Sequence, residues 1–183
     1  MERHITAPLN EQITKQLKYG DYVYITGTIY TARDAAHKRI YEGMQSGQKP
    51  PLDLENNIIY YLGPSPAREG QVIGSAGPTT SSRMDKYTPL LLENGLKGMI
   101  GKGKRSAEVI EAIKKNNGVY FAAVGGAGAL LSKCIKKSEV IAYDDLGTEA
   151  IRKLEVENLP VIVVIDSEGN NLYETATKKY EKI

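Results

Sequence analysis

One cysteine and two histidines in 183 residues leave almost no material for a metal centre. A lone Cys134 cannot close an internal disulfide, and with two histidines it falls short of the donor set of a conventional zinc or iron–sulfur site. Metal chemistry, if the function needs it, has to come from another chain. Long apolar runs are missing as well: no stretch approaches the roughly 20 residues of a membrane span. The start, Met1-Glu2-Arg3-His4, lacks the apolar core of a signal peptide, so a soluble cytoplasmic protein is the expectation. An excess of one charge is lacking too. The 24 basic and 22 acidic residues are mixed along the chain and sum to +2, which offers no broad footprint for a nucleic-acid backbone. Any anion selectivity is therefore local.

What is present is an ordinary globular composition, with 41% hydrophobic and 25% charged residues. The length suits a single domain over 1–183 with a sizeable core. Residues 9–17 suit a short helix ended by Gly20, and 21–30 carry the β-branched and aromatic residues of a strand. Over 32–45, alanines, Ile40 and Met44 recur at helical spacing until Gly47, Pro50 and Pro51 end the run. Residues 57–62 are a second strand candidate, closed by Gly63-Pro64-Ser65-Pro66.

Three units of strand, glycine-rich turn and helix follow. The first runs from 71–74 through Gly77 into a helix over 83–93, and the second from 97–100 through Gly101 into 107–115. The third runs from 119–124 through Gly125 into a helix ending near Lys136. Their equal spacing reads as repeated architecture, not as sequence duplication. Beyond them the pattern predicts a strand at 140–143, a helix over 148–157, a strand at 160–165, and a turn into a last strand at 171–174. The fold class this predicts is α/β: a mainly parallel core sheet with helices, and an additional small β element from the N-terminal strands and terminal hairpin.

Strand-to-helix turns present unpaired N–H groups and the positive end of a helix dipole at a sheet edge, where anions bind. The first turn is the richest. Thr79, Thr80, Ser81 and Ser82 supply four hydroxyls, and Arg83 adds a planar donor fork for a carboxylate or phosphate. The same residues also read as a hydroxyl N-cap followed by a solvent-facing arginine. The second turn sets Lys102, Lys104 and Arg105 around Gly101 and Gly103, without the Walker pattern; it reads as an anion site or as a basic surface loop. The third imitates a dinucleotide fingerprint, with Gly126-x-Gly128 and the acids Asp144 and Asp145, but Leu131 stands where the third glycine belongs. Close backbone packing explains those glycines equally well. Upstream, helical spacing puts Arg33 and His37 on one face, a carboxylate grip beside an acid–base group. In the alternative, Asp34 pairs with Lys38 and both Arg33 and His37 lie on the surface. Cys134 reads as a small buried apolar residue.

Gly27-Thr28-Ile29-Tyr30-Thr31-Ala32-Arg33-Asp34-Ala35-Ala36-His37, Gly77-Pro78-Thr79-Thr80-Ser81-Ser82-Arg83-Met84-Asp85 and Gly101-Lys102-Gly103 occur in that order, before Leu159-Pro160-Val161-Ile162-Val163-Val164-Ile165-Asp166. Together they resemble the beta subunit, or C-terminal domain, of class I iron–sulfur fumarate hydratases and the related L(+)-tartrate dehydratases. The resemblance covers nearly the whole chain. It implies a swivelling β/β/α domain docked on a cysteine-bearing alpha subunit, in an α2β2 assembly whose [4Fe–4S] cluster sits on the alpha subunit, with none bound by this chain. It further implies that Arg33, Arg83 and Lys102 contact the carboxylates of a small dicarboxylate, and that Thr79, with Thr80, sits beside the carbon that exchanges a proton. Thr79 is then the candidate base and His37 an acid–base residue or a group that positions one. A threonine hydroxyl is a weak base, so nearby cations or an alpha-subunit carboxylate must activate it. The implied reaction is reversible hydration of fumarate to malate. Dehydration of tartrate to oxaloacetate is the nearest rival, a stand-alone small-anion-binding module a rival of another class, and a nucleotide-binding enzyme a third.

Overall fold

Seven strands and six α-helices occupy the described residues, 1–124 and 128–180, of the computed structural model. β1 (Glu2–Ala7), β2 (Tyr22–Thr31), β3 (Ile58–Tyr60), β4 (Gly98–Gly101) and β5 (Val119–Ala123) lie side by side and parallel. A long strand, β7 (Ile151–Ile165), then runs antiparallel to both β5 and β2. The sheet therefore closes on itself through β2, β3, β4, β5 and β7. Among the described residues β6 (Ile135–Ala142) pairs only with β7, against its first half, and forms an edge. The architecture is mixed α/β, with a parallel run closed by antiparallel strands.

Side-chain alternation explains the closure. Val23, Ile25 and Ile29 of β2 point to one face with Ile58, Ile100, Phe121, Leu154, Val161 and Val163, giving one apolar core drawn from all five strands of the circuit. Gly27, at a φ of +127° beside a register shift, lets β2 pass β1; a Cβ there would collide with the Ala7 carbonyl. Alternate residues on the other face, among them Ile59, Tyr61, Met99 and Tyr120, meet α2 (Asp34–Gln45), α3 (Thr88–Glu93) and α4 (Ala107–Asn116) in a second core. α4 has both of its ends specified: the Ser106 hydroxyl caps Val109 N–H, and Asn117 closes it in the left-handed region at φ 53°. The first helix, α1 (Glu11–Gln16), is capped by Asn10.

Several sequence expectations change. The helix predicted over 148–157 is instead the start of β7. Ile151 and Leu154 are spaced as on a helix, but pairing with β2 and β6 on both sides overrides that local preference. Asn158, at φ 50°, then breaks the two-residue alternation between Val156 and Leu159. The strand predicted at 171–174 is the start of a helix, α6 (Leu172–Tyr180), and only Asn171 bridges back to Ile165. Residues 71–74 form a bend anchored by buried Ile73. The helix predicted over 83–93 splits into a 3-10 turn, Ser81–Met84, and α3, which starts at Thr88 with Pro89 in its first turn. β1 is a strand that its mostly exposed polar residues did not announce. Gly125, Gly126 and Ala127 lie outside the described residues, and α5 (Gly128–Ser132), after them, stops short of Lys136. The strand expected at 140–143 begins earlier, at Ile135. No helix among the described residues is long and apolar enough to cross a membrane.

Candidate functional site

β2, β3 and β4 deliver their C-terminal ends to one edge of the sheet, the edge at which α/β folds form ligand crevices. Arg33 follows β2 as the N-cap residue of α2, Tyr61 follows β3, and Lys102 follows β4. The 77–85 segment crosses the same edge. Thr79 N–H donates to Tyr61 O at 2.7 Å, Thr80 bridges Lys102, and Ser81 N–H donates to Lys102 O at 2.8 Å. The fold thus brings Arg33, Thr79, Thr80 and Lys102 to one place from three separate loops. Lys102 and Arg83 are exposed, while Thr79 and Thr80 are half-buried.

Buried groups hold the first two turns together. The Tyr120 hydroxyl donates to Gly103 O at 2.8 Å, so the Ser81 hydroxyl is the donor in its 2.7 Å bond to Tyr120. Gly101 leaves room for this: a Cβ there would strike Ser81 Oγ and stand 2.7 Å from the Tyr61 ring. Asp85 accepts Arg105 Nε through one oxygen and Ser106 N–H through the other, both at 2.7 Å. Arg105 also reaches the Tyr61 hydroxyl at 3.1 Å and Thr88 Oγ1 at 3.0 Å, with its guanidinium 4.8 Å from the Tyr120 ring centre. Its side chain is 0% exposed. Arg105 is therefore not part of a basic surface loop. It is a buried tie whose partners, Asp85, Tyr61 and Tyr120, no local sequence signal marks.

Around Arg33 the arrangement is ionic. Its Nε lies 3.8 Å from both Asp34 Oδ1 and Glu149 Oε1, and Asp34 Oδ2 lies 3.9 Å from Arg83 Nη1. Asp34 thus faces the two arginines, whereas Lys38 is 3.9 Å from Glu42. His37 is fully buried behind Arg33, edge-on to Tyr61 with ring centres 5.3 Å apart. Its backbone N–H donates to Arg33 O at 2.8 Å, and Nδ1 stands 2.9 Å from the same oxygen. A carbonyl only accepts, so Nδ1 carries the proton and Nε2, which has no hydrogen-bond partner among the described residues, is a bare lone pair. Burial lowers the imidazole from 6.5 to about 4, outweighing the Arg33 backbone bond, which acts in the opposite direction.

That shift has a sign for stability. The unfolded chain takes up the His37 proton as pH falls below about 6.5, while the fold resists it down to about 4. The stabilisation is complete above the upper value and falls through this window, by about 3 kcal/mol in all. Urea melts from pH 7 to 4 are expected to show this slope, and His37→Gln to lack it; equal slopes would contradict it.

Cys134 lies elsewhere, against the first core, with its thiol 3.8 Å from Asn158 O and pushed up by burial. Asp145, one of the two acids of the dinucleotide reading, is engaged by Arg39 through two bonds of 2.8 and 2.7 Å. One cysteine falls short of the thiolate set of an iron–sulfur cluster, and no group of three or more His, Cys, Asp or Glu among the described residues is placed to hold a metal. The residues present do not fit a cluster within this chain.

The family model described as the fumarase C-terminus matches residues 2–176. A putative L(+)-tartrate dehydratase subunit beta from Methanocaldococcus jannaschii is 41% identical over 182 residues, covering 96% of this chain and 93% of that protein. Fumarate hydratase 2 of Leishmania major is 41% identical over 164 residues, 88% of this chain but 29% of that protein. The aerobic class I fumarate hydratase of Escherichia coli K12 is 37% identical over 174 residues, 93% of this chain and 32% of that protein. The chain thus spans about a third of the fumarate hydratases it matches and nearly all of the beta subunit. With the match running from Glu2 almost to its end, the chain belongs to the fumarase C-terminus family.

Proposed function

We propose that this chain is the substrate-holding beta subunit of a hydro-lyase that hydrates fumarate reversibly to malate in the cytoplasm. The observation that carries this reading is the convergence of Arg33, Thr79, Thr80 and Lys102 on one sheet edge, with Arg83 joined to Arg33 through Asp34. Three cations on an open face suit a substrate with two carboxylates. Arg33, Arg83 and Lys102 bind those carboxylates and set the carbon chain against Thr79 and Thr80. Thr79 takes or returns the proton at carbon. His37, buried and neutral, supports Arg33 through its carbonyl, the positioning half of its expected role. The whole of 1–183 acts as one domain, swivelling on a cysteine-bearing alpha subunit in an α2β2 assembly. A [4Fe–4S] cluster held by that partner would supply Lewis-acid activation of water.

A second reading, dehydration of tartrate to oxaloacetate, is favoured by the nearly full-length match to a protein named as a tartrate dehydratase subunit. The same cations serve both four-carbon dicarboxylates, which differ in hydroxylation. Anaerobic co-purification with an alpha partner, then assay with fumarate and with tartrate, separates them. Arg83→Ala and Lys102→Ala are expected to raise KM about tenfold to a hundredfold with smaller effects on kcat. Turnover of tartrate alone transfers the assignment to the second reading. Turnover of neither, with malate bound by the lone chain, replaces both with an anion-binding module.

A further inference from the structure

Arg33 is more confined than an arginine at an exposed helix start needs to be. A Cβ on Gly63 would lie 2.6 Å from Arg33 Cδ, 3.0 Å from Nη1 and 3.3 Å from the Thr148 carbonyl oxygen, so the arginine stem runs through a slot only glycine leaves open. The far wall of that slot belongs to the 3-10 segment Asp144–Glu149, which joins β6 to β7. This segment is fastened to α2 at two points. Asp145 holds Arg39 in a bidentate pair, and Glu149 Oε1 accepts Ala35 N–H at 3.3 Å. The same Oε1 stands 3.8 Å from Arg33 Nε, a buried nitrogen with no direct hydrogen bond among the described residues. Asp34 Oδ1 flanks that nitrogen at 3.8 Å. Asp34 is a neighbour in sequence and comes with the helix start; Glu149 is delivered by the fold.

We infer that Glu149 is a positioning residue for Arg33: anchored by the Ala35 amide, its carboxylate takes the Nε edge of the guanidinium and turns the two Nη groups toward the substrate carboxylate. This rests on the reading of Arg33 as a carboxylate contact. The direction of the effect separates positioning from mere proximity. A bystander carboxylate repels a dianionic substrate, so its removal lowers KM. A positioning carboxylate keeps a flexible side chain in its binding rotamer, so its removal raises KM and leaves the step at carbon largely intact.

Glu149→Gln keeps an oxygen for the Ala35 amide and removes only the charge. In the assembled enzyme it is expected to raise KM about three- to tenfold with kcat within about twofold. Arg33→Ala combined with Glu149→Gln is expected to be no worse in KM than Arg33→Ala alone, since both act through one contact. An unchanged or lowered KM in Glu149→Gln overturns the inference. Arg33→Ala with normal KM overturns the reading of Arg33 itself, and with it the substrate half of the inference. In the full chain without any partner, the Arg33 Nε–H signal in nitrogen-15 NMR is expected to exchange with water about tenfold faster in Glu149→Gln. An unaltered exchange rate there overturns the positioning role independently of turnover.

Discussion

Thr79→Ala is expected to lower kcat of the assembled enzyme by about 10²- to 10⁴-fold while KM moves by less than about threefold. The substitution is local by construction. Thr79 is held by its backbone, through the 2.7 Å bond to Tyr61 O, and the next residue is fixed by its bridge to Lys102. Among the described residues no hydrogen bond engages the Thr79 hydroxyl. Removing it therefore takes away the proposed proton-transfer group without unlacing the turn. The proposed carboxylate contacts, Arg33, Arg83 and Lys102, stay in place, which is why KM is expected to hold. Thr79→Ser, which keeps the hydroxyl, is expected to recover most of the turnover. Near-normal kcat in Thr79→Ala would remove threonine from the proton transfer and leave it as a wall of the site. A threonine hydroxyl is a weak base alone. The test is therefore made on the assembled enzyme, where the partner's groups can activate it.

How much of this was legible in the sequence depends on how local each feature is. The strand over 21–30, the helix over 107–115 and the strand at 119–124 carry their own periodicity, and they form as predicted to within a few residues. The meeting of Arg33 and Lys102 was also within reach, because each follows a strand of one parallel run. Thr79 follows no strand and reaches them only through its bond to Tyr61 O and the Thr80–Lys102 bridge, which the sequence does not announce. What could not be read is what non-local pairing decides. β7 is continuous only because β2, β5 and β6 pair with it, and Asn158 interrupts the alternation that would have marked it. His37 looks like a helix-surface histidine until Tyr61 and Tyr87 close over it. Glu149 and Arg33 are far apart in sequence, in a stretch that reads as helix. Arg105 sits in a basic loop by composition, and only the fold shows that Asp85 draws it inside.

Asp85→Ala is expected to cost about 3–5 kcal/mol of folding stability, because it leaves the Arg105 charge buried and unpaired. The pair is not a surface salt bridge whose value solvent would erode: the side chains are 0% and 14% exposed, with Nε and Oδ1 2.7 Å apart. Arg105 keeps its bonds to the Tyr61 hydroxyl and Thr88 Oγ1 in the variant, but those neutral groups carry no compensating charge. The backbone loses a partner too, since Asp85 accepts Ser106 N–H at the start of α4. Against a total of about 5–15 kcal/mol for a domain, a loss of this size populates the unfolded state heavily at physiological temperature. Arg105→Met alone is expected to cost less, because the stranded carboxylate retains Ser106 N–H and some contact with water. The double variant should then be more stable than the sum of the two losses predicts, by about 2 kcal/mol. Urea melts of the four proteins measure that coupling; additive losses, or Asp85→Ala within about 1 kcal/mol of the parent, would show that the buried pair does not hold the two turns together. The site follows the same tie. Asp85 ends the segment that carries Thr79, Thr80 and Arg83, and Arg105 ends the turn that carries Lys102, so a chain that has lost this pair should lose carboxylate binding at temperatures where its helices still hold.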